Sequence, residues 1–210
     1  MPSRSLAKSS LFGSVGREAE YVKRDLTTGP AWARPLARWL AGREARALTR
    51  AATLGGVPPL VSFDGHYLRR KWIAGVPLQI ARPADPAYFR AALTLLRRLH
   101  RAGIAHNDLA KEPNWLVQPD GRPALVGLQL ATVTRRRTLW FRLLAREDLR
   151  HLLQHKRSYC PGRLTARQRR MLADPGLLSR FWRQAGKLVY QFVTRRMLGW
   201  RNREGARDRG

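Results

Sequence analysis

Residues 104–117 read Ile-Ala-His-Asn-Asp-Leu-Ala-Lys-Glu-Pro-Asn-Trp-Leu-Val. The polar run in the middle is enclosed by apolar residues on both sides. Upstream, residues 87–102 predict a helix. Asp85-Pro86 opens it with proline at the first helical position, Phe89, Ala92, Leu96 and Leu99 recur at helical spacing, and Gly103 ends it. Downstream, Trp115-Leu116-Val117, the turn Pro119-Asp120-Gly121 and Ala124-Leu125-Val126 predict a hairpin. The polar run is therefore a loop held between two rigid elements, where binding and catalytic groups concentrate. Asp108 is the candidate base in it and Asn114 the candidate metal ligand, with His106 supporting the loop. A polar turn that merely joins helix to hairpin accounts for the same residues without chemistry, and both readings stand at this level.

Further out, residues 17–26 predict a strand with Tyr21 and Lys23 on one face. Residues 36–52 predict a helix, with Leu36, Leu40, Ala47, Leu48 and Ala51 on one side and Gly55-Gly56 as its stop. Glu44 falls on that apolar side. A carboxylate turned toward a core is costly unless it meets a cation; otherwise it is a rim residue paired with solvent or a nearby arginine. Leu60 to Phe63, Asp64-Gly65 and His66 to Ile73 predict a second hairpin with a two-residue turn. Ala74 to Pro77 reads as a connector. The remainder is expected to be helical, with its strongest apolar stripe through Leu177/Leu178, Phe181/Trp182, Ala185, Leu188/Val189 and Phe192/Val193. The fold class is α+β: a strand-rich part with one helix over residues 11–75, then a mainly helical part over 76–200. Residues 1–10 and 201–210 are expected to be flexible ends.

Composition narrows the partners. The chain has 210 residues, 44% hydrophobic, and a formal net charge of +27, nearly all of it arginine. So basic a chain attracts anions: nucleotide phosphates, nucleic acid or an acidic membrane surface. No recognition helix or aromatic ladder points to specific nucleic-acid binding. Residues 134–146 mix arginine with Trp140, Phe141 and Leu144. Such a stretch either lies on anionic membrane or packs a core with its arginines turned outward, and the run Arg135–Arg137 reads as an anion-binding surface. Cys160 is the only cysteine, so no internal disulfide forms, and no zinc-site spacing occurs. Neither a signal peptide nor a membrane span is expected. The expected location is cytoplasmic, with room for peripheral contact at the inner membrane face.

The pattern His106-Asn107-Asp108-Leu109 with Asn114 and the apolar residues after it resembles the protein-kinase-like superfamily, in particular its compact bacterial members, the lipopolysaccharide (Kdo/heptose) kinases and RIO-type kinases. The resemblance covers roughly residues 11–160. It implies a two-lobed fold, with a small strand-rich N-lobe and a mainly helical C-lobe, and the cofactors ATP and Mg²⁺. It also implies transfer of the γ-phosphate to a hydroxyl of a protein Ser/Thr or a lipid-linked sugar. Asp108 takes the place of the catalytic aspartate and Asn114 that of a metal ligand. Lys23 takes the place of the lysine on the nucleotide phosphates, and Glu44 that of the glutamate pairing with it. Gly13 and Gly16 stand where a glycine-rich loop would cover the phosphates.

The departures are specific. Asn114 lies six positions after Asp108, so the loop is one residue longer than usual, with Lys111-Glu112-Pro113 filling the gap. Where the family has its metal-binding Asp-Phe-Gly segment, this chain has Gly127-Leu128-Gln129. Asp120 stands too far away to substitute, and Glu112 is the remaining carboxylate candidate. No activation segment or large substrate-binding subdomain follows. A kinase-like chain with these changes is either an active phosphotransferase or a pseudokinase that serves as a binding or scaffold module.

Overall fold

The computed structural model describes residues 8–173, so the stripe expected at 177–200 and the tail at 201–210 lie outside the described residues. The chain opens with three antiparallel strands, β1 (Lys8–Ser10), β2 (Gly13–Glu18) and β3 (Tyr21–Asp25). Lys8–Ser10, expected within a flexible end, thus pair with β2 as a strand. The single strand expected at 17–26 is instead the end of β2, a turn and β3. Helix α1 (Arg34–Arg50) follows, then β4 (Leu60–Phe63) and β5 (Tyr67–Lys71). The five strands form one antiparallel sheet in the order β1-β2-β3-β5-β4. The β4–β5 register pairs Phe63 with Leu68, so the link is longer than the two residues expected. Asp64 Oδ1 accepts from the backbone N–H of His66 and Tyr67 and shapes that turn.

Beyond the sheet come β6 (Val76–Pro77), α2 (Leu78–Ala81), α3 (Pro86–Arg101) and β7 (Ile104–Ala105). They are followed by β8 (Trp115–Val117), β9 (Pro123–Leu125), β10 (Thr132–Val133), α4 (Leu139–Tyr159) and α5 (Ala166–Ala173). Strands β6, β8 and β9 make a small sheet, and β7 pairs with β10. Helix α3 starts where the sequence places it: Asp85 is the N-cap and accepts from Ala87 N–H, with Pro86 behind it. The architecture is α+β with antiparallel sheets, and no helix among the described residues is long and apolar enough to cross a membrane.

Two apolar clusters form. Ala37, Ala41 and Ala45 of α1 meet Leu26 and Leu68 on the sheet. The expected face of α1 is buried at Glu44, Ala47, Leu48 and Ala51, but not at its start, where Leu36 is 48% exposed. Alanines let the helix backbone approach the sheet closely, which a leucine face would not. The larger cluster joins α3, β7, β8, β9 and α4 through Leu96, Leu99, Ile104, Trp115, Leu125 and Leu152. Within residues 134–146, Phe141 and Leu144 pack inward as core residues, whereas Leu139 and Trp140 stay exposed.

Leu96 is fully enclosed in this larger cluster. Leu96→Ala is expected to cost about 2–5 kcal/mol in urea denaturation, the range for a cavity in a close-packed core. A loss below about 1 kcal/mol would show that this cluster is not the stabilising core.

Candidate active site

Residues 106–114 are fastened to α4 at successive points. Asp148, buried on α4, accepts from the His106 N–H at 2.7 Å through Oδ2 and from the Asn107 N–H at 2.9 Å through Oδ1. His100 of α3 brings Nε2 to the same Oδ2 at 3.1 Å. Further along the same helix, His155 Nε2 donates to the Leu109 carbonyl at 2.8 Å, and Tyr159 OH donates to Glu112 Oε2 at 2.7 Å. Glu112 turns to α4, where Tyr159 and His155 meet its carboxylate. Asn107 adopts the left-handed region at φ 65, and its Nδ2 donates to Leu130 O and Thr132 Oγ1, each at 2.9 Å. Asparagine is among the few non-glycine residues that tolerate this conformation.

The bend at Asn107 presents Asp108. Its Oδ2 accepts from Lys111 Nζ at 2.9 Å and Asn114 Nδ2 at 3.1 Å. Asn114 Nδ2 also donates to the Asp108 carbonyl at 2.8 Å. Asp108 and Asn114, expected to act together, are assembled, with Lys111 added, and Asn114 serves as a brace for Asp108. Its other amide atom, Oδ1, occupies the space into which a side chain at position 127 would grow. Gly127 has φ +80, and a Cβ built there would collide with Asn114 Oδ1. Among the described residues no group of three His, Cys, Asp or Glu side chains could hold a metal ion. Asp120 is in the hairpin turn, paired with Arg122. Position 127 thus supplies no carboxylate beside Asn114, and no step is assigned to a protein-bound Mg²⁺.

The cation expected on Glu44 is corrected. Backbone register pairs Val22 with Arg70, Lys23 with Arg69 and Arg24 with Leu68. Side chains alternate faces along a strand, so Val22, Arg24, Leu68 and Arg70 share one face and Lys23 points to the other. Helix α1 covers the first face. Glu44, 1% exposed, meets Arg24 Nη1 at 3.3 Å and Arg70 Nε at 3.6 Å. Burial pushes the Arg70 guanidinium pKa down, and the Glu44 carboxylate opposes that shift. Lys23 instead lies 3.9 Å from Glu18 and 4.6 Å from the Tyr67 ring centre. The glycines expected to cover the phosphates, Gly13 and Gly16, both lie in β2. Gly16 is within β2, opposite Lys23. Gly13, also in β2, has its Cβ direction filled by the Asp25 carbonyl. Its lack of a side chain serves strand packing.

Sequence reasoning missed Asp148, Arg24, Arg70 and Tyr159. Asp148 could have been found by the argument applied to Glu44, since it stands four residues from Leu144 and four from Leu152 on a helix with those leucines buried.

Burial holds both His106 and His155 below the ordinary histidine pKa, although Asp148 and Glu112, respectively, act to raise them. The unfolded chain therefore binds protons near pH 6.5 that the folded chain refuses, and stability falls as pH drops through that value. The thermal midpoint is expected to decrease from about pH 7.5 to about 5.5, and less steeply in His155→Gln; a flat or rising midpoint in the parent chain would contradict the neutral assignment. For the corrected ion pair, Glu44→Ala strands buried Arg70 and is expected to cost about 3–5 kcal/mol. Lys23→Met removes only a partly exposed pair and is expected to cost under about 1 kcal/mol. Equal losses in the two variants, measured by denaturation, would return Lys23 to the Glu44 pair.

Comparison adds no family to this geometry: no protein-family model matches the chain, and no curated protein matches it.

Proposed function

We propose that the chain is a kinase-like phosphotransferase, with the two-lobed arrangement of that superfamily, moving the γ-phosphoryl group of ATP to a hydroxyl. The acceptor class is a protein Ser/Thr or a lipid-linked sugar. The observation that carries this reading is the asymmetric environment of Asp108. Lys111 and Asn114 hold Oδ2, while Oδ1 makes no hydrogen bond among the described residues, in a loop braced to α4 at several points. One oxygen is fixed and the other is left for a hydroxyl, in a carboxylate that is 9% exposed. Supporting features are the order of a five-stranded sheet with one helix before a mainly helical part, and the burial of a helix glutamate against cations on the sheet.

In this mechanism Asp108 Oδ1 accepts the acceptor's O–H and aims its lone pair at the γ-phosphorus. The new O–P bond forms as the bond to the ADP oxygen breaks, and the hydroxyl proton leaves through Asp108 to solvent. Lys111, exposed at its end and already beside Asp108, supplies positive charge where the transferring phosphoryl group accumulates negative charge. A second reading, a kinase-like module that binds without turnover, is favoured by one observation: Asn114 and Gly127 together leave no place for the usual metal-binding carboxylate.

Asp108→Asn keeps the shape and the bonds from its carbonyl while removing the base. ATP turnover on the purified chain is expected to fall by about 10²–10⁴-fold with an unchanged melting temperature. Turnover equal to the parent's would remove Asp108 from the chemistry. ATP binding without turnover in the parent would select the second reading.

A further inference from the structure

Two arginine-rich segments of this chain carry large apolar side chains outward. In and just before α1, Trp32, Leu36 and Trp39 are 58%, 48% and 52% exposed. Spacings of four and three place them on one side of a helix. The same helix carries Arg34, Arg38, Arg43, Arg46 and Arg50, and its only carboxylate, Glu44, is buried on the opposite, sheet-facing side. The second segment runs from Leu128 to Arg146. It contains Arg135, Arg136, Arg137, Arg142 and Arg146 and no acidic residue. Leu139 and Trp140 within it are 78% and 57% exposed.

The two segments adjoin. The Arg43 guanidinium lies 4.7 Å from the Trp39 ring centre and donates to Leu130 O at 3.0 Å and Ala131 O at 2.9 Å. Beyond it, Arg46 and Arg50 of α1 line one side of an open groove whose other side is Val133, Thr134 and Arg135. Tryptophan, leucine and arginine thus occur along two adjoining segments, together a belt without an exposed carboxylate.

We infer that this belt docks the protein on an anionic membrane surface, with Trp32, Leu36, Trp39, Leu139 and Trp140 entering the headgroup boundary and the arginines meeting lipid phosphates. The exposed apolar side chains stand out from helices and do not line the groove, which suits a broad, soft surface better than a single peptide. Tryptophan's ring and N–H suit the boundary between hydrocarbon and water. Residues 174–210 carry nine Lys or Arg against three Asp or Glu, so they share the sign of the belt. The inference does not depend on the phosphotransferase reading.

The test is co-sedimentation of the full chain with vesicles of phosphatidylcholine containing about 30% phosphatidylserine, against phosphatidylcholine alone. Binding is expected to require the anionic lipid and to weaken at high salt. The combined variant Trp32→Ser, Leu36→Ser, Trp39→Ser is expected to bind at least about tenfold less, with its melting temperature retained. Arg157→Glu, a charge reversal on α4 outside the belt, is expected to change binding by no more than about twofold. Brominated lipid should quench tryptophan emission in the parent and less in the triple variant. Unchanged vesicle binding in the triple variant would overturn the inference by placing the contact elsewhere, including residues 174–210. Failure to bind vesicles, with belt-dependent binding to a polyglutamate peptide instead, would overturn it in favour of an acidic protein partner.

Discussion

Asp148 is a carboxylate with almost no contact with water, and its two oxygens are shared among elements that are far apart in sequence. It receives two consecutive backbone N–H groups of the loop and the His100 ring of α3. Backbone donors next to a left-handed residue have no strand or helix partner available, so a buried acceptor must be supplied or the loop cannot be buried at all. Supplying it from the middle of α4 fixes the distance between α3, the loop and α4 at once. Leu109 and Glu112 are then reached by His155 and Tyr159 of the same helix. The orientation of Asp108 follows from these restraints more than from its own contacts.

The sheet and α1 solve a related problem with charge. Glu44 faces the sheet at a position where a small apolar residue would fit, and two arginines answer it. Such an arrangement contributes little net stability over an apolar pair but makes a shifted register expensive. Sliding β3 by one residue would turn Arg24 outward, bring Lys23 in and strand Arg70's partner. The pair therefore works as a registry device for the first sheet.

Helix α3, the hairpin of β8 and β9 and the loop between them were legible because their signals are local: Asp85-Pro86 at one end, an unbroken apolar stripe, and turn residues at fixed offsets. Helix α1 was legible in position and in the buried face of its second half, where Glu44, Ala47 and Leu48 are enclosed as expected. In its first half hydropathy gives weight to Leu36 and Leu40, while close approach to a sheet favours Ala37, Ala41 and Ala45. Lys23 was preferred to Arg24 because a strand's two faces differ by one residue and only its neighbour, β5, shows which face α1 covers. The union of Asp108, Lys111 and Asn114 was partly legible from spacing. What Asn114 does there was not, since it depends on the backbone at Gly127, thirteen residues away and across a hairpin.

Gly127 and Asn114 also bear on what this sequence can become. Placing an aspartate at position 127 would push Asn114 Oδ1 aside and with it loosen the amide that holds the Asp108 carbonyl and carboxylate. A carboxylate gained on one side of the site would come with a disordered carboxylate on the other. Only a paired change, one that relocates the asparagine as the aspartate arrives, keeps both. The two positions are coupled: a side chain at 127 and the present placement of Asn114 Oδ1 exclude one another, so neither changes alone without disturbing the bonds that hold Asp108.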